Sequence, residues 1–305
     1  MSEHVKTLKG FAKTKDFFIG IDSDGCAFDT MEIKHKECFI PNIINSWGLQ
    51  PVSKFARAAA EFVNLYSQWR GINRFPALTM TFDLLSEWDE VLERGYKSPE
   101  CQSLRDWIET ETALGNPALK KKVEQTRDPV LTRALEWSTA VNKDVEKIVR
   151  NCPPFPHVRE SLQKIQPKAD VMVVSATPGE ALRREWEEHD IAGFVGLIAG
   201  QELGSKKEHI QHAAAGRYEP ARMLMIGDAL GDMKAAKANN ALFFPINPGH
   251  EADSWKRFFE EAADRFFAGS YAGEYEKKLI EKFMTYLPST PPWKKCCCSR
   301  GGCCE

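Results

Sequence analysis

Five short apolar runs occur along the chain, one near the amino terminus and four in the second half. Runs of this length without strict alternation are typical of parallel strands that are buried on both faces. Segments of helical composition, such as PGEALRREWEEHD, separate them. The order strand, helix, strand predicts right-handed crossovers and therefore an α/β fold with a doubly wound parallel sheet. The runs are FFIGIDSD at 17–24, DVMVVSAT at 170–177, FVGLIAG at 194–200, RMLMIGD at 222–228 and ALFFPI at 241–246.

The stretch between the first and second runs has a different pattern. Its apolar residues recur at helical intervals, as in the segment 55–69, and it contains almost no β-branched runs. We therefore predict an all-helical domain over residues 30–152. It is inserted into a sheet domain of residues 1–29 and 153–290, whose last part consists of helices packed on the sheet.

Composition and charge narrow the class of protein. Hydrophobic residues make up 43% of the 305 residues, so the chain is expected to fold into a globular protein. A net charge of -2 argues against the strong positive field of a nucleic-acid-binding surface. The chain has no run of about 20 apolar residues and no signal-like amino terminus, so we expect a cytoplasmic protein without a membrane segment. The oligomeric state is not indicated.

The nine cysteines fall into two groups. Five of them lie within the last ten residues, after the helix-breaking segment LPSTPPW, and we predict a disordered tail over residues 291–305. The other four are scattered singly, as expected for reduced thiols in a cytosolic protein. These four are Cys26, Cys38, Cys101 and Cys152.

Polar residues follow several of the predicted strands or begin the next helix. The carboxyl ends of parallel strands meet at one edge of a sheet, where open α/β sheets build their sites. We therefore expect these side chains to form one site. They are Asp22 and Asp24 after the first run, Ser175 after the second, Lys206 at a helix start, and Asp228 with Asp232 after the fourth.

This set of residues suits phosphoryl transfer from a phosphate monoester. A carboxylate and a phosphate repel each other, and oxygen ligands from Asp22 and Asp228 suit Mg²⁺, which would neutralise that repulsion. One aspartate can then attack phosphorus, while Asp24 is placed to protonate the leaving oxygen and later to activate water. Ser175 and Lys206 would stabilise the negative charge on the phosphoryl oxygens.

With these motifs the sequence resembles the haloacid dehalogenase-like superfamily of hydrolases. The resemblance rests on DSDGCAFD at 22–29, VVSAT at 173–177, GSKKEHI at 204–210 and MIGDALGD at 225–232, four motifs in order on the expected elements. It implies a Rossmann-like core with an inserted helical cap domain after the first motif. Two positions depart from the family pattern, Cys26 where Thr is frequent and Ala176 where Asn is frequent.

The resemblance also implies a role for each matching residue. Asp22 would be the nucleophile and Asp24 the acid and base, with Ser175 and Lys206 contacting the phosphate. Lys206 is preferred over Lys207 because its spacing to Ile210 matches the family. The metal ligands would be the carboxylates of Asp22 and Asp228 and the main-chain carbonyl of Asp24, with Asp232 as an outer partner.

The second aspartate of the first motif resembles the phosphatase and phosphomutase branches, because dehalogenases lack it. We therefore expect a Mg²⁺-dependent phosphatase acting on a small phosphorylated metabolite. Two alternatives remain open. A phosphomutase would return the phosphoryl group from Asp22 to a substrate, and a non-catalytic sensor of a phosphorylated metabolite would keep only the fold.

One segment of the insertion is a candidate for substrate selection. In YSQWRGINRF, residues 66–75, Gly71 interrupts the helical pattern, so Arg70 and Arg74 are expected to lie on a loop. Arginine can bind a second anionic group of a substrate in two places. The competing interpretation is that both arginines are surface charges or pair with acids such as Glu61.

Overall fold

Five parallel strands form the central sheet. A computed structural model describes residues 3–294 of the chain, and each of the five predicted runs is a strand. The strands lie in the order β3-β2-β1-β4-β5 and every pairing is parallel. The doubly wound α/β fold is confirmed. The strands are β1 (Phe17–Ile21), β2 (Ala169–Val174), β3 (Leu197–Ala199), β4 (Met223–Gly227) and β5 (Leu242–Pro245).

The register of the sheet brings the ends of three strands together. Ile21, the last residue of β1, pairs with Val173 in β2 and with Ile226 in β4. The residues that follow these strands therefore emerge side by side at one edge of the sheet.

Sixteen α-helices surround the sheet or form the insertion in the described part of the chain. Two π-helical segments, Lys34–Phe39 and Phe258–Ala262, interrupt longer helical runs. The helices are α1 (Glu3–Lys9), α2 (Thr30–Ile33), α3 (Ile40–Ser46), α4 (Ser53–Leu65), α5 (Arg74–Ser86), α6 (Asp89–Leu92), α7 (Gln102–Thr110), α8 (Asn116–Thr126), α9 (Pro129–Ile148), α10 (Val158–Ile165), α11 (Gly179–Glu188), α12 (Lys206–Ala213), α13 (Leu230–Ala238), α14 (Glu251–Arg257), α15 (Ala263–Phe267) and α16 (Glu274–Thr285).

Helices cover both faces of the sheet, which explains why its strands read as continuous apolar runs. Alternate strand residues such as Ile19, Val173 and Ile226 pack in one core with residues of α10, α11, α14 and α15. The intervening residues point to the opposite face. There α13 contacts β4 and β5, and α12 contacts β2 and α1.

The chain divides into two compact units. Within the described residues, the sheet unit comprises residues 3–34 and 149–286, and the helical unit comprises residues 35–148 and 287–294. Helices α14 to α16 belong to the sheet unit, with Trp255 fully buried in its core.

The helical unit has its own aromatic core. All five tryptophans of the predicted insertion belong to it. Trp293 joins them, because its ring stacks on Trp88 at 4.1 Å between centroids and meets Phe62 edge-on at 5.6 Å. This packing differs from the disorder predicted for residues 291–294. The rest of the predicted tail, residues 295–305, lies outside the described residues.

Two further features bear on the sequence predictions. The four scattered cysteines are free thiols, as predicted, whereas the five at 296–304 lie beyond the described part. Among residues 3–294, none of the helices has the length and apolar character needed to cross a membrane.

Candidate active site

The turn after β1 presents the first aspartate. The Asp22 amide donates to the Ile226 carbonyl of β4 at 3.0 Å, which extends the sheet by one residue and fixes the Asp22 backbone. The Asp22 carboxylate accepts a hydrogen bond from the Ser23 amide at 2.8 Å. Gly25 has a φ of +74°, a conformation that favours glycine, and it allows the chain to turn back toward Phe28.

Two buried tryptophans from distant helices hold this turn. The Trp186 indole donates to the Ser23 hydroxyl at 3.0 Å, and that hydroxyl donates to Glu185 at 3.1 Å. The Trp255 indole donates to the Cys26 carbonyl at 2.7 Å. These supports were not predicted, because nothing near Trp186 or Trp255 in the sequence indicates what their indole groups bind.

The turn after β4 presents two more carboxylates. Asp228 follows the strand directly, and Asp232 lies in the first turn of α13, where it accepts a hydrogen bond from the Ala229 amide at 3.1 Å. A Cβ atom on Gly227 would lie 2.3 Å from the Asp232 side chain. Glycine at this position therefore allows Asp232 to point into the site.

Lys206 completes what we call the carboxylate–lysine cluster, namely Asp22, Asp228, Asp232 and Lys206. The Ser205 hydroxyl caps α12, which places Lys206 at the start of that helix. The Lys206 ammonium lies 2.6 Å from Asp22 Oδ2 and 2.7 Å from Asp232 Oδ1. Lys207, by contrast, is exposed.

The charges of the carboxylate–lysine cluster do not balance. Burial raises the pKa of Asp22 well above its ordinary value; Lys206 opposes this shift, and Asp232 and Asp228 add to it. Burial would lower the pKa of Lys206, but the two carboxylates beside it outweigh burial and raise that pKa. Three buried carboxylates thus lie close together, and the Lys206 ammonium contacts two of them. This concentration of buried negative charge favours an additional cation.

The donor set fits a hard divalent cation. One carboxylate oxygen from each of Asp22, Asp228 and Asp232 can be chosen so that all three lie within 4.8 Å of one another. Oxygen donors at such spacing suit Mg²⁺. The Asp24 carboxylate does not belong to this set of three. The sequence predicted that Asp24 would bind the metal through its main-chain carbonyl and not through its carboxylate.

The Asp24 carboxylate has its own group of donors. Its Oδ1 accepts hydrogen bonds from Thr30 and from Lys34, the latter at 2.5 Å, and its Oδ2 accepts one from Thr177 at 2.5 Å. Burial would raise the pKa of Asp24, but the charge and hydrogen bond of Lys34, with the two hydroxyls, lower the pKa to about 2. Burial, with the charge of Asp24, raises the pKa of nearby Glu185 to about 7.

Ser175 follows β2 directly, at the same edge of the sheet. Its amide donates to the Ala199 carbonyl of β3 at 3.0 Å, and its hydroxyl accepts from the Thr177 amide at 3.2 Å. The side chain is 2% exposed. Thr177 was not predicted as a site residue, although it lies two residues after Ser175 in the same motif.

The two predicted specificity arginines belong to the helical unit. Arg74 is not on a loop as predicted: it is the first residue of α5, because the Asn73 side chain caps that helix by accepting from the Phe75 amide at 3.0 Å. Arg70 does lie in the turn before α5, and its guanidinium donates to the Leu65 carbonyl at 2.8 Å.

Neutral groups surround the Arg74 guanidinium. It donates to the Ser138 hydroxyl at 3.0 Å and to Asn142 at 2.7 Å, and it lies 4.9 Å from the centroid of the Phe39 ring. Burial lowers the pKa of Arg74 to about 10. Substrate binding by Arg70 and Arg74 stays a prediction.

The contrast between Lys206 and Lys207 provides a direct test of the cluster. We expect Lys206→Met to lower kcat for phosphate ester hydrolysis by about 10²-fold, because one preorganised charge on the phosphoryl oxygens is lost. Lys207→Met makes the same chemical change one residue away on an exposed side chain and should leave kcat unchanged. Steady-state release of phosphate by the two variants measures the difference. Similar losses in both variants would show that Lys206 has no special role.

Comparison with known proteins places the chain in a family. A family model described as haloacid dehalogenase-like hydrolase matches residues 90–245. Comparison with curated proteins finds no match.

Several solved structures match most of this chain. A haloacid dehalogenase-like family hydrolase from Streptococcus pneumoniae is 14% identical, with a TM-score of 0.44, over 82% of this chain and 93% of that one. A predicted phosphoglycolate phosphatase from Haemophilus somnus is 15% identical, with a TM-score of 0.39, over 79% and 90%. A predicted phosphatase from Clostridium acetobutylicum is 13% identical, with a TM-score of 0.41, over 88% and 100%.

Proposed function

The chain belongs to the haloacid dehalogenase-like hydrolase family, and from that premise we propose that it is a Mg²⁺-dependent phosphatase. Its substrate is a small phosphorylated metabolite, and the reaction passes through an aspartyl-phosphate on Asp22. The observation that carries the proposal is that Asp22 and Asp24, two residues apart at one edge of the sheet, have different hydrogen-bond and charge partners. Asp22 lies in the carboxylate–lysine cluster, whereas Asp24 lies among Thr30, Lys34 and Thr177.

The first half of the proposed reaction forms the covalent intermediate. A carboxylate oxygen of Asp22 attacks phosphorus, and the bond between phosphorus and the ester oxygen breaks. Asp24 gives a proton to that leaving oxygen. Despite burial, Lys34 holds the pKa of Asp24 at about 2, so this step requires that the negative charge of the bound phosphate raise that pKa until the acid form is reached. Lys206 and the Ser175 hydroxyl stabilise the negative charge that gathers on the phosphoryl oxygens.

The second half returns the enzyme to its starting state. Asp24, now a carboxylate, takes a proton from water, and the water oxygen attacks phosphorus. The bond from phosphorus to Asp22 breaks and inorganic phosphate leaves. The anionic Asp24 that Lys34 favours is the form that this step requires.

A metal ion has a defined place in the proposal. The carboxylates of Asp22 and Asp228 and the main-chain carbonyl of Asp24 would hold Mg²⁺, with Asp232 beside them. A bound Mg²⁺ supplies positive charge that lowers the repulsion between the substrate phosphate and the carboxylates. The buried set of three carboxylates supports this assignment.

The proposed function is tested by incubating the protein with p-nitrophenyl phosphate and a panel of phosphorylated metabolites in Mg²⁺. We expect release of inorganic phosphate, with one class of metabolite preferred. Transfer of the phosphoryl group to a second substrate without inorganic phosphate would identify a phosphomutase instead. If every ester stays intact, the chain is a binding protein that has kept the fold.

A further inference from the structure

Asp24 is held by donors from two directions. Thr30 and Lys34 are four residues apart, so both side chains lie on the same side of the helical run that begins with α2, and both reach Asp24 Oδ1. Thr177 approaches from the end of β2 and binds Oδ2. A carboxylate with donors on both oxygens has one defined orientation.

Lys34 differs from the two hydroxyl donors in its charge and in being able only to donate hydrogen bonds. A threonine hydroxyl can rotate to donate or accept, whereas an ammonium group can only donate. The Lys34 side chain is 16% exposed and that of Asp24 is 13% exposed, so their ion pair is shielded from solvent. Pairs of this kind are shorter and stronger than neutral hydrogen bonds.

The backbone at Lys34 is also unusual. Lys34 begins a π-helical segment that ends at Phe39, between α2 and α3. Such segments are rare and are often found at functional sites, because the wider turn redirects the side chains along it. The change of helical geometry thus begins at the residue that reaches Asp24.

We propose that Lys34 is a positioning residue that holds the Asp24 carboxylate in the orientation needed to exchange protons with the leaving oxygen and with water. This role rests on the proposed function, because it concerns the acid and base of that reaction. Lys34 acts through Asp24 and does not itself attack phosphorus. Loss of Lys34 also removes a charge that favours the Asp24 anion, which by itself would make the acid form more available. Under the positioning role the loss of orientation outweighs this gain, so reactions should slow in proportion to their need for a well-placed acid.

The test compares phosphate esters whose leaving groups differ in how much they need to be protonated by an acid. The p-nitrophenolate ion leaves almost unaided, whereas the alkoxide of benzyl phosphate must be protonated. We expect Lys34→Met to lower kcat about tenfold or more for benzyl phosphate but less than about threefold for p-nitrophenyl phosphate, with KM unchanged for both. Lys34→Arg, which keeps the charge, should restore most of the rate on benzyl phosphate.

Lys36→Met is the matched control. It removes an equal charge from the same helical run, but the Lys36 ammonium lies over the Tyr66 ring, 5.8 Å from its centroid. We expect Lys36→Met to have the same ratio of kcat for benzyl phosphate to kcat for p-nitrophenyl phosphate as the wild-type protein. Equal losses on both esters in Lys34→Met, no loss on either, a gain on benzyl phosphate, or a change confined to KM would overturn the positioning role.

A crystal structure of Lys34→Met adds a readout that does not depend on turnover. We expect the Asp24 carboxylate to adopt a different orientation and to lose its contact with Thr177. An unchanged Asp24 would overturn the proposal. If wild-type protein hydrolyses no ester, the proposed phosphatase function fails, and the orientation of Asp24 still decides whether Lys34 positions it.

Discussion

Replacement of Asp22 by Asn is expected to lower turnover by at least about 10³-fold, because the attacking carboxylate oxygen is lost. Asparagine has nearly the same shape and can still accept the hydrogen bond from the Ser23 amide. The surrounding turn is held by Trp186 and Trp255, whose contacts do not involve the Asp22 side chain. The loss should therefore be chemical and not a consequence of unfolding.

The folded protein should tolerate this change well. Burial and two neighbouring carboxylates make the Asp22 charge unfavourable, as the raised pKa of its carboxyl group indicates. Removing that charge relieves repulsion with Asp228 and Asp232, although it also removes one partner of Lys206. We expect a melting temperature equal to or above that of wild type, a frequent result when an active-site charge is removed.

The Asp24→Asn variant provides the contrast. It keeps the nucleophile but loses the group that activates water, so p-nitrophenyl phosphate should still phosphorylate Asp22 and the phosphoenzyme should accumulate. Acid quenching and mass spectrometry of the intact chain would detect the added phosphoryl group in Asp24→Asn and not in Asp22→Asn. Near wild-type hydrolysis of an aryl phosphate by Asp22→Asn would exclude the covalent mechanism.

Removal of divalent metal is the second change with a large expected effect. Treatment with EDTA should lower the rate about 10³-fold or more, since charge stabilisation by a metal contributes several kcal/mol to the transition state. Added Mg²⁺ should restore the rate. Ca²⁺ should inhibit, because its larger and looser coordination shell misplaces the attacking oxygen.

The carboxylate–lysine cluster identifies Asp228 as a residue that should determine how much Mg²⁺ the enzyme needs for activity. Asp228→Ala should raise the Mg²⁺ concentration for half-maximal activity at least about tenfold, because one oxygen ligand is missing. Asp170→Asn is the control: Asp170 is also a buried aspartate of the sheet, but its carboxylate binds Thr14 and Tyr218. Its Mg²⁺ requirement should equal that of wild type. Full activity after exhaustive chelation would rule out the metal assignment.

The strands were predictable because their pattern is local. Apolar runs ending in polar residues identified β1, β2 and β4, and the parallel topology then predicted that Asp22, Ser175 and Asp228 emerge at one edge. A helix start next to that edge can reach it, which made Lys206 and Lys207 candidates, and the resemblance to the family then selected Lys206 by its spacing to Ile210. Apart from that choice, each of these inferences needs only the chain within a few residues and a general property of parallel sheets.

Other features depend on contacts between distant parts of the chain. Thr177 and Asp24 are 153 residues apart, and Trp186 and Ser23 are 163 residues apart. No periodicity relates such residues, because their contact depends on how strands and helices pack against one another. Helix capping is similarly hard to predict from sequence. The Asn73 side chain caps α5, so Arg74 is the first residue of that helix and does not lie on the predicted loop.

The sequence by itself therefore determined the α/β sheet, the helical insertion and the residue types that suit phosphoryl transfer, because each follows from local pattern and chain order. Only the tertiary structure decided how these groups are paired. In the folded chain Asp22 lies beside Lys206, Asp228 and Asp232. Asp24 instead binds Lys34 and Thr177. The reason is that burial and neighbouring charge, which set the behaviour of a carboxylate, arise from side chains that meet only in the folded chain.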